Sequence, residues 1–428
     1  MATFSKIWKN ADLKRKILFT LMIFVVYRIG IFIPVPGVNT TVLREFMGAG
    51  AIFGFLDAFS GGALQGFSVF AMGISPYINA SIIVQLLQMD VIPILSEWQK
   101  EGESGKRKTN QLTRYLSLIL AFIQGLAIAI GFNAMMNGIF LEGRGWLLYI
   151  YIALILTAGT AIMLFLADQI TAKGIGNGTS MIIVAGIVTQ IPRMIEELYR
   201  YYLVNLTFTN VLAVIAIVAL ILLTVIGVVY LQLATRKLPI QYANRHNSAQ
   251  LSGRKDSFIP LKLNSAGVIP VIFASTFLSL PLTIVQFFPE SGFTNVLLFL
   301  FDFNSSWLAL LIYVLLIVGF TYFYAFVQVS PEKVAENLKK QGSYIPGVRP
   351  GGDTEEYLSK VLSRITFIGA LSLVAIAALP VVLGMLTDIP ASIRIGGTTI
   401  LIVVGVAIET AKQIQTKTMD QRYQGFIK

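Results

Sequence analysis

Apolar residues in this chain come in long blocks rather than in alternation or in amphipathic stripes. Ten blocks stand out, at 17–34, 67–92, 115–140, 147–169, 179–199, 208–233, 265–288, 306–329, 361–386 and 395–414. About 20 apolar residues are needed to cross a bilayer as a helix, so the pattern predicts ten transmembrane helices. Pro76, inside the second block, is expected to kink its helix. Ten spans divide into an N-terminal half, 1–200, with spans 1–5, and a C-terminal half, 201–428, with spans 6–10. An odd number of spans per half turns the second half over relative to the first, the arrangement of inverted repeats, which place a pathway at their interface.

One apolar block is too short to span. Residues 51–60, AIFGFLDAFS, would rise only ~15 Å as a helix before Gly61 and Gly62 interrupt them. Two readings fit: a helix lying in the interface, or a re-entrant segment enclosed by protein or by a water-filled cavity. Two polar stretches, 235–264 and 330–360, are long, basic and rich in turn formers, which keeps them out of lipid.

Charge orients the spans. If the N-terminus is cytoplasmic, 27 of the 33 Lys and Arg residues fall on the cytoplasmic side, as the positive-inside tendency requires. Both termini are then cytoplasmic, and the net charge of +11 is topogenic before it is anything else. Composition agrees: 55% of residues are hydrophobic and 13% charged, against about 25% charged in soluble domains. The segment 1–16 is polar and basic, and no small-residue cleavage site follows the first apolar block, so that block is expected to remain as a span.

The chemistry on offer is sparse. With no cysteine and His246 alone, disulfides and thiolate metal sites are excluded; no metal site, cofactor or catalytic constellation is expected, and the chain is read as a non-enzyme. The stretch Gly102–Lys106 fails as a phosphate loop, because Arg107 stands where Ser or Thr must follow the lysine. Arg28, Asp168 and Glu409, the ionisable residues within spans, lie near membrane boundaries. An inverted-repeat secondary transporter remains the alternative to a conduit, although coupled transporters ordinarily place carboxylates near the midplane.

Four stretches resemble the SecY family of protein-conducting channels, in order along nearly the whole chain: Phe67–Leu87 (FSVFAMGISPYINASIIVQLL), Phe165–Ile183 (FLADQITAKGIGNGTSMII), Asn264–Ser275 (NSAGVIPVIFAS) and Ala335–Gly351 (AENLKKQGSYIPGVRPG). The resemblance implies an all-α polytopic membrane protein of ten transmembrane helices, built as two inverted five-helix halves around an hourglass pore, with a short re-entrant plug helix. It places a constriction ring on Ile74, Ile78, Thr179, Ile183, Ile272 and Ile402, with Thr179 departing from the family's apolar choice. Two consequences are open for it: a slightly looser seal, or a hydroxyl bonded back to its own helix. The plug falls on Phe53, Phe55, Phe59, Ser60, Gly61 and Gly62, with the glycines as hinge. A lateral gate falls on Asn79, Ile82, Thr276 and Leu280.

The same resemblance implies docking of a motor or ribosome through Arg349, Arg236, Lys237, Arg245, Lys339 and Lys340. Asn244 stands where the family usually carries a basic residue, and the stretch 246–257 diverges and does not align with the family pattern. The implied function is a channel that moves signal-bearing polypeptides across the bacterial cell (inner) membrane and releases hydrophobic segments into lipid. Implied partners are SecE-like and SecG-like small membrane subunits, the SecA ATPase, the ribosome, signal-sequence-bearing preproteins and membrane lipid.

Overall fold

A computed structural model of the chain describes residues 11–39, 60–88, 92–135, 145–204, 207–242, 257–285, 292–303, 306–386 and 391–424. Helices occupy every one of the ten apolar blocks: α1 (Ala11–Ile31), α2 (Ser75–Leu87), α4 (Glu103–Met135), α5 (Gly145–Lys173), α6 (Gly178–Leu198), α7 (Phe208–Leu233), α8 (Ile269–Val285), α10 (Trp307–Val329), α12 (Gly352–Leu386) and α13 (Ala391–Gln424). Shorter helices α3 (Pro93–Lys100), α9 (Gly292–Phe301) and α11 (Pro331–Lys340) lie between them, and a π-helical turn, Tyr199–Leu203, extends α6. Hydrocarbon offers no partner to backbone N–H and C=O groups, and a helix satisfies them within the segment. Among the described residues six helices, α4, α5, α6, α7, α10 and α12, are long and apolar enough to cross a membrane. α2 and α8 are apolar but shorter, at 13 and 17 residues.

The second block departs from its expected course. Residues 61–74 form turns, and α2 begins only at Ser75 with Ile74 as its N-cap. Pro76 therefore sits in the first turn and does not kink the helix, because the N–H it lacks is one that no residue of that turn can use. The non-helical stretch is satisfied by the chain leaving α1: Val35 N–H donates to Phe67 O (2.8 Å) and Val69 N–H to Ile33 O (3.0 Å). Phe67 is wholly buried there, its ring 5.7 Å from that of Phe132. At Gly159 of α5, a Cβ would collide with the Val69 carbonyl, so helix and turn are in backbone contact, a close approach that small residues permit.

Packing gathers α1, α2, α4, α5 and α6 into one set and α7, α8, α10, α12 and α13 into another. The sets meet where α6 touches α13 and where α2 and α4 touch α8.

The two basic loops fold together, which adds a small sheet to the helical architecture. Strands β1 (Thr235–Tyr242), β2 (Ser257–Lys262) and β3 (Ser343–Tyr344) pair antiparallel in the order β2-β1-β3. Pro239 lies in the part of β1 that pairs with β2 alone, Pro260 on edge strand β2, so neither missing N–H breaks the sheet. Leu238 and Leu261 from the first loop share a core with Leu338, Ile345, Leu358 and Ile365 from the second loop and α12.

Candidate functional site

The segment entering the second block is held between α1 and α6. Tyr27 Oη donates to the Ser60 carbonyl (3.0 Å), and Thr189 Oγ1 to the Gly61 carbonyl (3.3 Å). Gly61 has φ +71°, and a Cβ there would lie 2.7 Å from Tyr27 Oη and 2.9 Å from the Gly186 Cα. Only glycine meets both demands, conformational and steric. Gly62, at φ +88°, has open space where its Cβ would be. Of the expected plug residues, Ser60, Gly61 and Gly62 are seen here; Phe53, Phe55 and Phe59 lie outside the described residues.

Five of the six expected ring residues are buried in one extended apolar cluster. Ile74 and Ile78 from the start of α2, Ile183 from α6, Ile272 from α8 and Ile402 from α13 are each buried to 8% exposure or less and belong to one apolar cluster. That cluster draws on both helical sets. Thr179 is half-buried. Its backbone N–H (3.1 Å) and its hydroxyl (2.7 Å) both donate to Asn177 Oδ1, the N-cap of α6. The hydroxyl is thus turned to the cap side chain rather than to its own helix backbone.

The expected gate residues lie on the helices that join the two sets. On α2, Asn79 and Ile82 are each 1% exposed; on α8, Thr276 is buried and Leu280 half-buried. α8 turns its hydroxyls inward on itself, with Thr276 Oγ1 donating to Ile272 O (2.6 Å) and Ser279 Oγ to Thr276 O (2.7 Å). Asn79 does otherwise: among the described residues neither its amide nitrogen nor its amide oxygen has a hydrogen-bond partner. Residues the sequence did not single out complete the seam. Tyr324 Oη of α10 donates to Gln85 Oε1 of α2, and the Tyr324 ring stands edge-on to Phe273 of α8 at 5.1 Å. A cavity of about 20 Å³, lined in part by Gln124 of α4 and Ser279 of α8, lies where α2, α4 and α8 converge. Gln85 and Tyr324 are 239 residues apart, so no local signal in the chain announces their pairing.

The expected docking residues lie on the folded loops. Arg236 and Lys237 are exposed on β1, with Lys237 Nζ 4.7 Å from the Phe258 ring centroid. Arg349 is exposed in a turn framed by Gly347 and Gly351, both left-handed, and its carbonyl accepts from Thr354 Oγ1 (2.7 Å). Lys339 and Lys340 end α11. Lys340 pairs with Glu336 (2.7 Å) and holds that carboxylate's pKa below its ordinary value. Arg245 lies outside the described residues.

This is the architecture of a polytopic helical membrane protein with a buried apolar cluster that draws on two helical sets. Solved structures of that class superpose on the chain: one described as a protein-conducting channel (TM-score 0.62, 20% identity, 95% of this chain and 93% of that one) and canine Sec61 in a ribosome-channel complex (TM-score 0.60, 20% identity, the same coverage). The SecY family model matches residues 68–411. Relatives named protein translocase subunit SecY are 48% identical in Halalkalibacterium halodurans, over 100% of this chain and 99% of the relative, and 48% identical in Bacillus subtilis with the same coverage. The Staphylococcus aureus relative is 45% identical over 99% of both chains. The chain belongs to the SecY family.

Proposed function

We propose that the chain is the channel subunit of a bacterial protein translocase, carrying signal-bearing polypeptides across the cell membrane and releasing apolar segments sideways into lipid. One observation carries the reading: isoleucines from four helices of both sets are buried in a single apolar cluster, which we read as the closed constriction. Branched apolar side chains exclude water and so block ions by dewetting. They also offer no hydrogen bond or charge to hold a passing side chain, which suits a conduit for arbitrary sequence. Separation of α2 from α8 would expose the constriction to lipid, into which an apolar segment partitions by its own transfer free energy. The ten helices then act as two halves, 1–200 and 201–428, with both termini cytoplasmic.

We assign the energy for transport to a docked partner rather than to this chain. The joined basic loops present Arg236, Lys237, Lys339, Lys340 and Arg349 to the cytoplasm and suit docking of a SecA motor or a ribosome. SecE-like and SecG-like subunits would brace the helices from the lipid side. The transporter alternative has no finding behind it.

The absence of cysteine allows a direct test. A preprotein arrested in transit should form disulfides with single cysteines placed at 183, 272 or 402, and none with a cysteine at lipid-facing Leu223. Equal cross-linking at all four positions would defeat the assignment of the constriction.

A further inference from the structure

At the end of α1 remote from the basic loops, a cavity of about 310 Å³ opens between α1, α6 and residues 61–66. Two guanidinium groups line it, Arg28 of α1 and Arg193 of α6. Their charges are differently committed. Arg193 Nε is paired with Glu197 (2.9 Å), and its Nη1 donates to Gln65. No carboxylate among the described residues pairs with Arg28; its guanidinium lies 4.7 Å from the Phe32 ring centroid. Among the described residues the cavity therefore carries about one uncompensated positive charge, set in a polar wall that includes Gln65 and Thr189.

Its rim is apolar in the direction of lipid. Phe32 lines the cavity and is 68% exposed, and Ile29 and Ile33 beside it are exposed as well. The floor is glycine: a Cβ at Gly66 would meet nothing within 4 Å. A group with a single negative charge, several acceptor oxygens and an apolar tail matches all three features, since guanidinium binds phosphate oxygens through paired N–H donors.

We propose that this cavity binds the phosphodiester headgroup of an anionic phospholipid, with Arg28 as its principal donor and the acyl chains against the exposed end of α1. A lipid so placed would buttress the glycine segment 61–66 from its open side and stabilise the closed constriction. The inference rests on the membrane-spanning reading of the chain and not on polypeptide transport.

Amide hydrogen exchange of the full chain in nanodiscs tests it, with three settings: phosphatidylcholine alone, phosphatidylcholine with phosphatidylglycerol, and phosphatidylcholine with inorganic phosphate. Phosphatidylglycerol is expected to slow exchange of residues 61–66 about 5-fold, the coupling of a modest site. Arg28→Gln should abolish that slowing. Gly66→Leu should abolish it too, because it fills the cavity from the floor without touching a charge and its backbone is not left-handed. Equal protection by inorganic phosphate would overturn the lipid assignment. Lack of any dependence on phosphatidylglycerol, or a dependence retained in both variants, would overturn the site. Failure of the chain to enter nanodiscs would show before lipids are compared, and so would be distinguishable.

Discussion

Asn79→Leu should make the channel harder to open. Asn79 is 1% exposed on α2, the helix that meets α8, and neither end of its amide is hydrogen-bonded among the described residues. A buried polar group without a partner costs about 1–3 kcal/mol, and that cost is relieved when separation of the seam admits water or a passing peptide. Leucine has nearly the same size and no polar group, so it removes the cost from the closed state alone. A shift of ~1–3 kcal/mol corresponds to roughly 5- to 150-fold in the opening equilibrium. The assay is import of preproteins whose signal segments form a graded series of hydrophobicity. Asn79→Leu should reject the weaker members that wild type accepts, while strongly apolar signals still pass and thermal stability rises. Unchanged or relaxed acceptance, with the protein intact, would refute the reasoning that this amide biases the seam towards opening.

Other consequences follow from the same structure. Gly61→Ala should lower the unfolding temperature in detergent more than Gly62→Ala. Both force an L-residue into the left-handed region at ~1–2 kcal/mol, but only Gly61 also meets the Gly186 backbone and Tyr27 Oη. Leu338→Ala should cost about 2–5 kcal/mol in the joined loops. Limited proteolysis would report it as cleavage near both β1 and β3, because the two loops share one core. Glu336 and Glu356 are held below the usual carboxylate pKa by hydrogen bonds from Lys340 and Lys360. Their depressed folded values mean any stability they add is present above the unfolded pKa and lost as pH falls through the folded one. Both pairs are exposed, so Glu356→Gln should leave the melting temperature nearly unchanged at neutral pH.

Much of the fold was legible because lipid imposes a crude and strong rule. Each of the ten expected spans shows as a block of apolar residues without any need of periodicity, and each block carries a helix. The onset of α2 was not legible: residues 67–74 are as apolar as a span, yet Phe67 and Gly73 adopt left-handed backbone and the stretch pairs with the chain after Ile31. The sheet hid within charge. TRKLPIQY reads as a loop by composition, and its partners lie in strands far along the chain. The residues proposed for the constriction came from resemblance, since buried isoleucines at helical spacing look alike whatever they face. Their convergence in one cluster needed the structure, as did Gln85 with Tyr324, and Thr179 with its cap at Asn177.

The most direct test of the central claim is import of a signal-bearing preprotein into vesicles holding this chain, its small membrane partner and an ATP-driven motor. Wild type should import and hold an ion gradient when idle. Arg349→Glu should abolish import while leaving the seal intact, and Ile402→Asn should leak ions through a constriction that no longer repels water. Failure of wild type to import, or an Ile402→Asn channel as tight as wild type, would contradict the account.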